Sequence, residues 1–279
     1  MQMTARLRSL PRRALGSLPK LRGRHLALAS VAMFAAQCAP QQCAPTPGGA
    51  TAHFVTLPPG AALPSSADCA ARVRRAAEVR PQNATQNATR GNTLNPGGSH
   101  AADQLRRVDG AFTGTTDEII QWAACKWGID EDIVRAQIAK ESYWVQANLG
   151  DWWTYPANEC PPGHAPGVDG RPGQCPQSIG LGQVRYGGND GTFPGVERSS
   201  AMNLDVTYAI WRACYEGRET WLNDVERGRQ YGAGDVWGCV GRWFSGRWYT
   251  QASNEYVGAV QDYLNRRIWT DGGFVRFRG

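Results

Sequence analysis

From Thr115 to Trp269 the apolar residues recur every third or fourth position in five blocks, parted by stretches rich in Gly and Pro. That period is helical. The first block predicts a helix from Asp117 to Trp127, capped by Thr115 or Thr116 and stopped by Gly128. The second, Ile129 to Tyr143, follows directly. Asp130 is a good N-cap for it, Glu131 and Asp132 suit the positive end of the helix dipole, and Val134, Ile138 and Glu141 share one face. The third block runs from a cap at Ser199 or Ser200 through Met202, Val206, Ile210 and Cys214 to a stop at Gly217. Gly234 to Phe244 predicts a shorter helix. Ser253 to Trp269 predicts a closing one, with Tyr256, Val257, Val260, Tyr263, Leu264 and Ile268 as its apolar face. No strong β-hairpin signal interrupts the series. The expected architecture is mainly α, with loops forming one side of a cleft.

Ahead of these blocks the pattern fades. Residues 37–66 are rich in Pro, Gly, Ala and Gln and read as linker. Ala67 to Val79 predicts one small helix, and the polar run from Gln82 to Gly98 predicts loop. Residues 37–102 are therefore expected to be linker with a small helical element, and the folded body to span 103–279. Asn83-Ala-Thr and Asn87-Ala-Thr match a glycosylation acceptor. Nothing else points to a eukaryotic secretory route, so they read as polar loop. Within the body, residues 146–200 are dense in Gly and Pro, and so long an irregular segment is usually functional or stapled.

Charge and cysteines change the picture at the N-terminus. The formal net charge is +6. Seven basic residues precede position 25, however, and without them 23 basic residues face 24 acidic ones. The basic arm leads straight into the apolar run 26–36, too short to span a bilayer. That order reads as an export signal over residues 1–36, and no nucleic-acid surface or stable membrane span is expected once it is removed. The Arg12–Arg13 pair lacks the surroundings of a twin-arginine signal. The cleavage point stays open between a lipobox-like Cys38 and Ala50-Thr-Ala52. Apart from Cys38 and Cys43, six cysteines remain, and an even set in an exported chain reads as disulfides. Local proximity favours Cys160 with Cys175, then Cys214 with Cys239. Four histidines in the whole chain, and no ligand-like spacing around Cys160, His164 and Cys175, speak against a metal site.

The chemistry gathers on the second block. Glu141 ends an apolar stripe, where burial raises a carboxyl's pKa, as a proton donor near neutral pH requires. Alone, it reads more simply as an exposed Glu near a helix C-terminus. Downstream, Ser178-Ile-Gly-Leu-Gly-Gln183 is a small-residue turn that lets backbone approach a ligand. Around both lie Trp127, Tyr143, Trp144, Trp152, Trp153, Trp243, Phe244, Trp248 and Tyr249. Flat aromatic faces suit the apolar faces of sugars, although core packing accounts for about half of them.

In order, these features resemble the lysozyme-like, SLT-type lytic transglycosylases, the superfamily that includes goose-type lysozyme. Glu141–Ser142 matches the Glu-Ser helix end, Gly180-Leu181-Gly182-Gln183 the Gly-Leu-Met-Gln turn, Asn203 with Tyr208 the next helix, and Tyr256 the closing helix. The match spans about Ile129 to Trp269, roughly half the chain. Two departures stand out. Gly182 replaces the family's Met, and Trp243-Phe-Ser-Gly246 stands where Ala-Tyr-Asn-Ala-Gly is usual. The resemblance implies a secreted enzyme that cleaves peptidoglycan glycan strands without metal or cofactor. Glu141 is then the general acid and base, with Ser142, Ser178, Gly180, Leu181, Gln183, Asn203, Trp243, Trp248, Tyr249 and Tyr256 binding substrate or orienting Glu141. Tyr249 or Tyr256 is left to supply a phenol. Asp151 is either a second carboxylate or a Gly-Asp turn residue. A hydrolase using water and a non-catalytic glycan-binding protein stay open beside the transglycosylase.

Overall fold

In the computed structural model, residues 52–225 and 229–278 are described; the export signal, Cys38 and the first two residues of Ala50-Thr-Ala52 lie outside them. The described residues are mainly helical. Short helices α1 (Ser66–Ala70), α2 (Ala84–Asn87) and α3 (Ala102–Leu105) lead to α4 (Thr116–Trp127) and α5 (Glu131–Ser142). Then come α6 (Gly195–Arg198), α7 (Ser200–Tyr215), α8 (Leu222–Val225), α9 (Val236–Ser245), α10 (Gln251–Arg266) and α11 (Gly272–Arg276).

α4, α5 and α7 begin where their caps predict, whereas α10, expected over Ser253 to Trp269, runs from Gln251 to Arg266. Thr115 forms a reciprocal capping box with Glu118, and Asp130, Ser199, Asp235 and Thr250 each accept a backbone N–H of the first turn. α7 is the centre. Every one of its residues is buried, and α4, α6, α3 and α9 pack around it. α10 lies against both α5 and α9.

Residues 54–102 are not linker. They belong to the same packed unit as the rest of the described residues. Phe54 is buried, Cys69 is disulfide-bonded to Cys125 on α4, and Arg212 of α7 donates to the carbonyls of Leu57 at 3.0 Å and Pro58 at 2.8 Å. The helix expected over Ala67 to Val79 ends at Ala70, and the expected loop contains α2. Asn83 and Asn87 are buried rather than surface acceptors. Asn83 Nδ2 donates to Thr116 Oγ1 and the Trp144 carbonyl, and Asn87 Nδ2 to Glu78 and Thr116. Their amides link three stretches of chain, so polarity here marks buried hydrogen bonding, not solvation.

Residues 146–200 hold a small antiparallel sheet that no hairpin signal announced: β1 (Leu149–Gly150), β2 (Ser178–Ile179) and β3 (Val184–Arg185), in that order. The Gly180–Gln183 turn is its β2–β3 connection. Cys160–Cys175 and Cys214–Cys239 are both bonded. Three disulfides fit an oxidising, extracellular setting. Among the described residues no helix is long and apolar enough to cross a membrane.

A chain begun at residue 103 is expected to lose cooperative unfolding, because the partners of α4 and α7 go with the deleted segment. Cys69→Ser with Cys125→Ser in the full chain is expected to cost about 2–4 kcal/mol in urea denaturation. A shortened chain as stable as the whole would return residues 54–102 to the role of linker.

Candidate active site

Glu141 sits on the last turn of α5, just before a sharp reversal. Tyr143 and Trp144 both take left-handed backbone conformations, at φ 55° and 64°. The strain costs on the order of 1 kcal/mol each. It is offset by burial of Trp144, whose Nε1 donates to the Arg135 carbonyl at 3.0 Å, and by the Asn83 amide on the Trp144 carbonyl. This reversal stops α5 with Glu141 facing a cleft of about 740 Å³, lined also by Asp151, Ser178, Gln183, Trp243, Phe244 and Tyr256.

The carboxyl of Glu141 is desolvated. Burial pushes its pKa up to about 8, a hydrogen bond from Tyr256 pulls it down, the Asp151 charge raises it and Lys140 lowers it. Desolvation wins, because a single phenol replaces a full hydration shell. Tyr256 comes from the buried stripe of α10, which also contains Ser253 and Val260, and its hydroxyl donates to Glu141 Oε1 in a short hydrogen bond. Burial and the neighbouring carboxylate hold the Tyr256 phenol well above its ordinary pKa, so it stays a donor. Phe244 stacks flat on Tyr256, ring centroids 4.6 Å apart. Tyr208 lies buried below, its hydroxyl donating to Gln137 at 3.4 Å. It too is held well above its ordinary pKa, by burial first and the Glu141 charge second.

Opposite stands the β-sheet wall. Ser178 Oγ donates to Asp151 at 2.5 Å, and Arg185 lies 3.6 Å from the same oxygen. Gln183 Nε2 donates to the carbonyls of Gly180 and Asn148 at 2.9 and 3.1 Å, so the amide braces its own turn. The turn is seated on α7: Gly182 N–H donates to Asn203 Oδ1 at 2.8 Å, and a Cβ at Gly182 would lie 2.1 Å from Thr207 Oγ1. A methionine therefore has no room at this position on this backbone. Trp243 closes the turn from α9 by donating Nε1 to the Gly182 carbonyl at 3.0 Å.

Of the expected site residues, the structure brings Glu141, Asp151, Ser178, Gln183, Trp243 and Tyr256 to one cleft. It places the others elsewhere. Ser142 is buried and donates back to the Ile138 carbonyl at 3.3 Å. Leu181 is core, Gly180 opens the turn packed against Asn203, and Asn203 lies under the turn with Nδ2 on the carbonyls of Ile179 and Val196. Trp248 is buried edge-on to Tyr231. Tyr249 donates to Asp235 beneath Arg229, so the phenol at Glu141 is Tyr256. Lys140 and the Glu219–Arg242 pair also line the cleft and had no sequence signal, since 23 positions part the paired residues.

Two outcomes test the desolvated carboxyl. Unfolded, it ionises near its ordinary value, about 4.3; folded, it keeps its proton up to about 8. Stability is therefore lost as pH rises between those values. Glu141→Gln removes the loss, and the variant's stability relative to wild type is expected to grow by several kcal/mol, at most about 5, from roughly pH 4 to 8.5 in urea denaturation; a flat difference would mean a solvated carboxyl. Tyr256→Phe deletes a donor that favours the ionised form, so the Glu141 pKa should rise further in a ¹³C-carboxyl NMR titration. A fall would contradict the hydrogen bond. No protein-family model, curated protein or solved structure matches this chain, so the chemistry of the cleft is to be read from its own residues.

Proposed function

We propose that the protein is an exported enzyme that cleaves peptidoglycan between N-acetylmuramic acid and N-acetylglucosamine, as a lytic transglycosylase on a lysozyme-like scaffold. One observation carries this: a carboxyl with a pKa of about 8, protonated at neutral pH, on the wall of an open cleft. A general acid needs that state. The helix order, the turn seated on α7 and the aromatic wall of Trp243 and Phe244 support a glycan as occupant. The basic-then-apolar N-terminal pattern and three disulfides support export.

Glu141 donates its proton to the glycosidic oxygen as the bond to the anomeric carbon breaks, leaving an oxocarbenium-like centre. The carboxylate so formed keeps the Tyr256 hydrogen bond. It then takes the proton of the muramoyl primary hydroxyl, whose oxygen attacks the anomeric carbon and closes an anhydro ring without water. Asp151 favours a second reading. Its charge acts on Glu141 from the same cleft, which supports its use as the second carboxylate of a water-using hydrolase.

Digestion of peptidoglycan sacculi, read by product mass, separates the readings. Anhydro-muramoyl ends are expected. Reducing ends that vanish in Asp151→Asn would make the enzyme a hydrolase, and binding without release would make it a glycan-binding protein. Glu141→Gln is expected to slow release about a thousandfold. Wild-type activity should fall as pH rises through about 8, where Glu141 loses its proton. An active Gln variant would remove Glu141 from the mechanism.

A further inference from the structure

The mechanism uses the part of the cleft at Glu141 and leaves another group of its lining residues without a role. Glu219 follows α7, Trp221 lies two residues on, Arg242 is on α9, and His100 comes from the segment expected to be linker. Glu219 is only 2% exposed. Arg242 pairs with it: Nη2 donates to Oε1 at 2.6 Å, and Nε lies 2.5 Å from Oε2 as a charge contact without hydrogen-bond geometry. The same guanidinium lies 5.8 Å from the centre of the Trp221 ring. His100 is exposed and close enough for its charge to act on Glu219. The Glu219 backbone is fixed as well, its N–H donating to Tyr231 Oη at 3.0 Å, while that hydroxyl donates to the Cys214 carbonyl at 2.6 Å.

A buried ion pair is a poor way to gain stability, because the attraction barely offsets the lost hydration. Apolar side chains would join α9 to this loop as well. What the pair adds is a rigid, polar edge beside an indole in an open cleft. No acceptor for Arg242 Nη1 is found among the described residues, which leaves its N–H groups for an incoming oxygen. An aromatic face next to fixed donors and acceptors matches a pyranose ring, with an apolar face of C–H groups and an edge of hydroxyls.

We propose that His100, Glu219, Trp221 and Arg242 form a second sugar subsite, which holds a pyranose ring of the strand away from the bond that Glu141 cleaves. This rests on the glycan reading of the cleft. Trp221 supplies the platform, the Glu219–Arg242 pair binds ring hydroxyls, and His100 adds a contact from the N-terminal segment. The subsite acts on binding and strand position, not on the bond-breaking step.

The test uses full-length Glu141→Gln protein and calorimetric titration with the dimer and hexamer of β-1,4-linked N-acetylglucosamine. The hexamer is expected to bind more tightly. Trp221→Ala in the same background should weaken the hexamer about tenfold and narrow its lead over the dimer. Trp221→Phe, which keeps a platform, should restore most of the loss, and exposed His100→Ala should weaken the hexamer about threefold. Unchanged hexamer affinity in the Trp221→Ala and His100→Ala proteins would overturn the subsite and leave Glu141 in place. Failure of the Glu141→Gln protein to bind either oligomer or sacculi would overturn the glycan reading itself, and the subsite with it.

Discussion

α7 is buried on every side, yet it carries Asn203, Asp205, Thr207 and Arg212. Each buried polar group left without a partner costs about 1–3 kcal/mol, and a charged one more. The rest of the chain is arranged to meet that demand. Asp205 accepts from Lys126 Nζ, Trp127 Nε1 and the backbone N–H groups of Asp109 and Gly110, all within 2.9 Å. Arg212 donates to the carbonyls of Leu57, Pro58 and Gly128. Asn203 takes Gly182 and gives to Ile179 and Val196. One helix thus anchors the N-terminal segment, the α4 end and the turn of the site.

That anchoring shapes the cleft. The Gly180–Gln183 turn faces α7 with its hydrogen-bonding backbone, so the wall it offers is formed by Ser178, the flank of Gln183 and Trp243. The opposing α5 and α10 carry the hydrogen bond on the carboxyl of Glu141, from the Tyr256 phenol. One hydrogen bond against the loss of hydration leaves the proton in place at neutral pH. The departure at Gly182 belongs to the same constraint, since Thr207 occupies the space a larger side chain would need.

Much of this was legible in the chain. Thr115, Asp130 and Ser199 mark helix starts by bonds within their own first turn, and the apolar period marks the faces. Cys160–Cys175 and Cys214–Cys239 are close in sequence and paired as proximity favours. The stretch 54–102 was illegible because its core residues, such as Phe54 and Leu63, follow no period and much of its contribution is polar. Asn83 and Asn87 look like loop residues until their amides are seen closing on Thr116 and Trp144. Ser142 and Trp248 stand beside site residues in sequence and still point away: helix geometry returns the one to Ile138, and the other is buried against Tyr231.

The sequence by itself determined α4, α5 and α7 with their caps, and the odd position of Glu141 at the end of an apolar stripe. These rest on interactions within about four residues, which the order of side chains specifies directly. Only the tertiary structure decided that the Glu141 carboxyl is desolvated, that Tyr256 rather than Tyr249 meets it, and that His100 joins Glu219 in the same cleft. Desolvation is a property of everything packed around a group, and the Tyr256 hydrogen bond spans 115 residues. No local pattern encodes either.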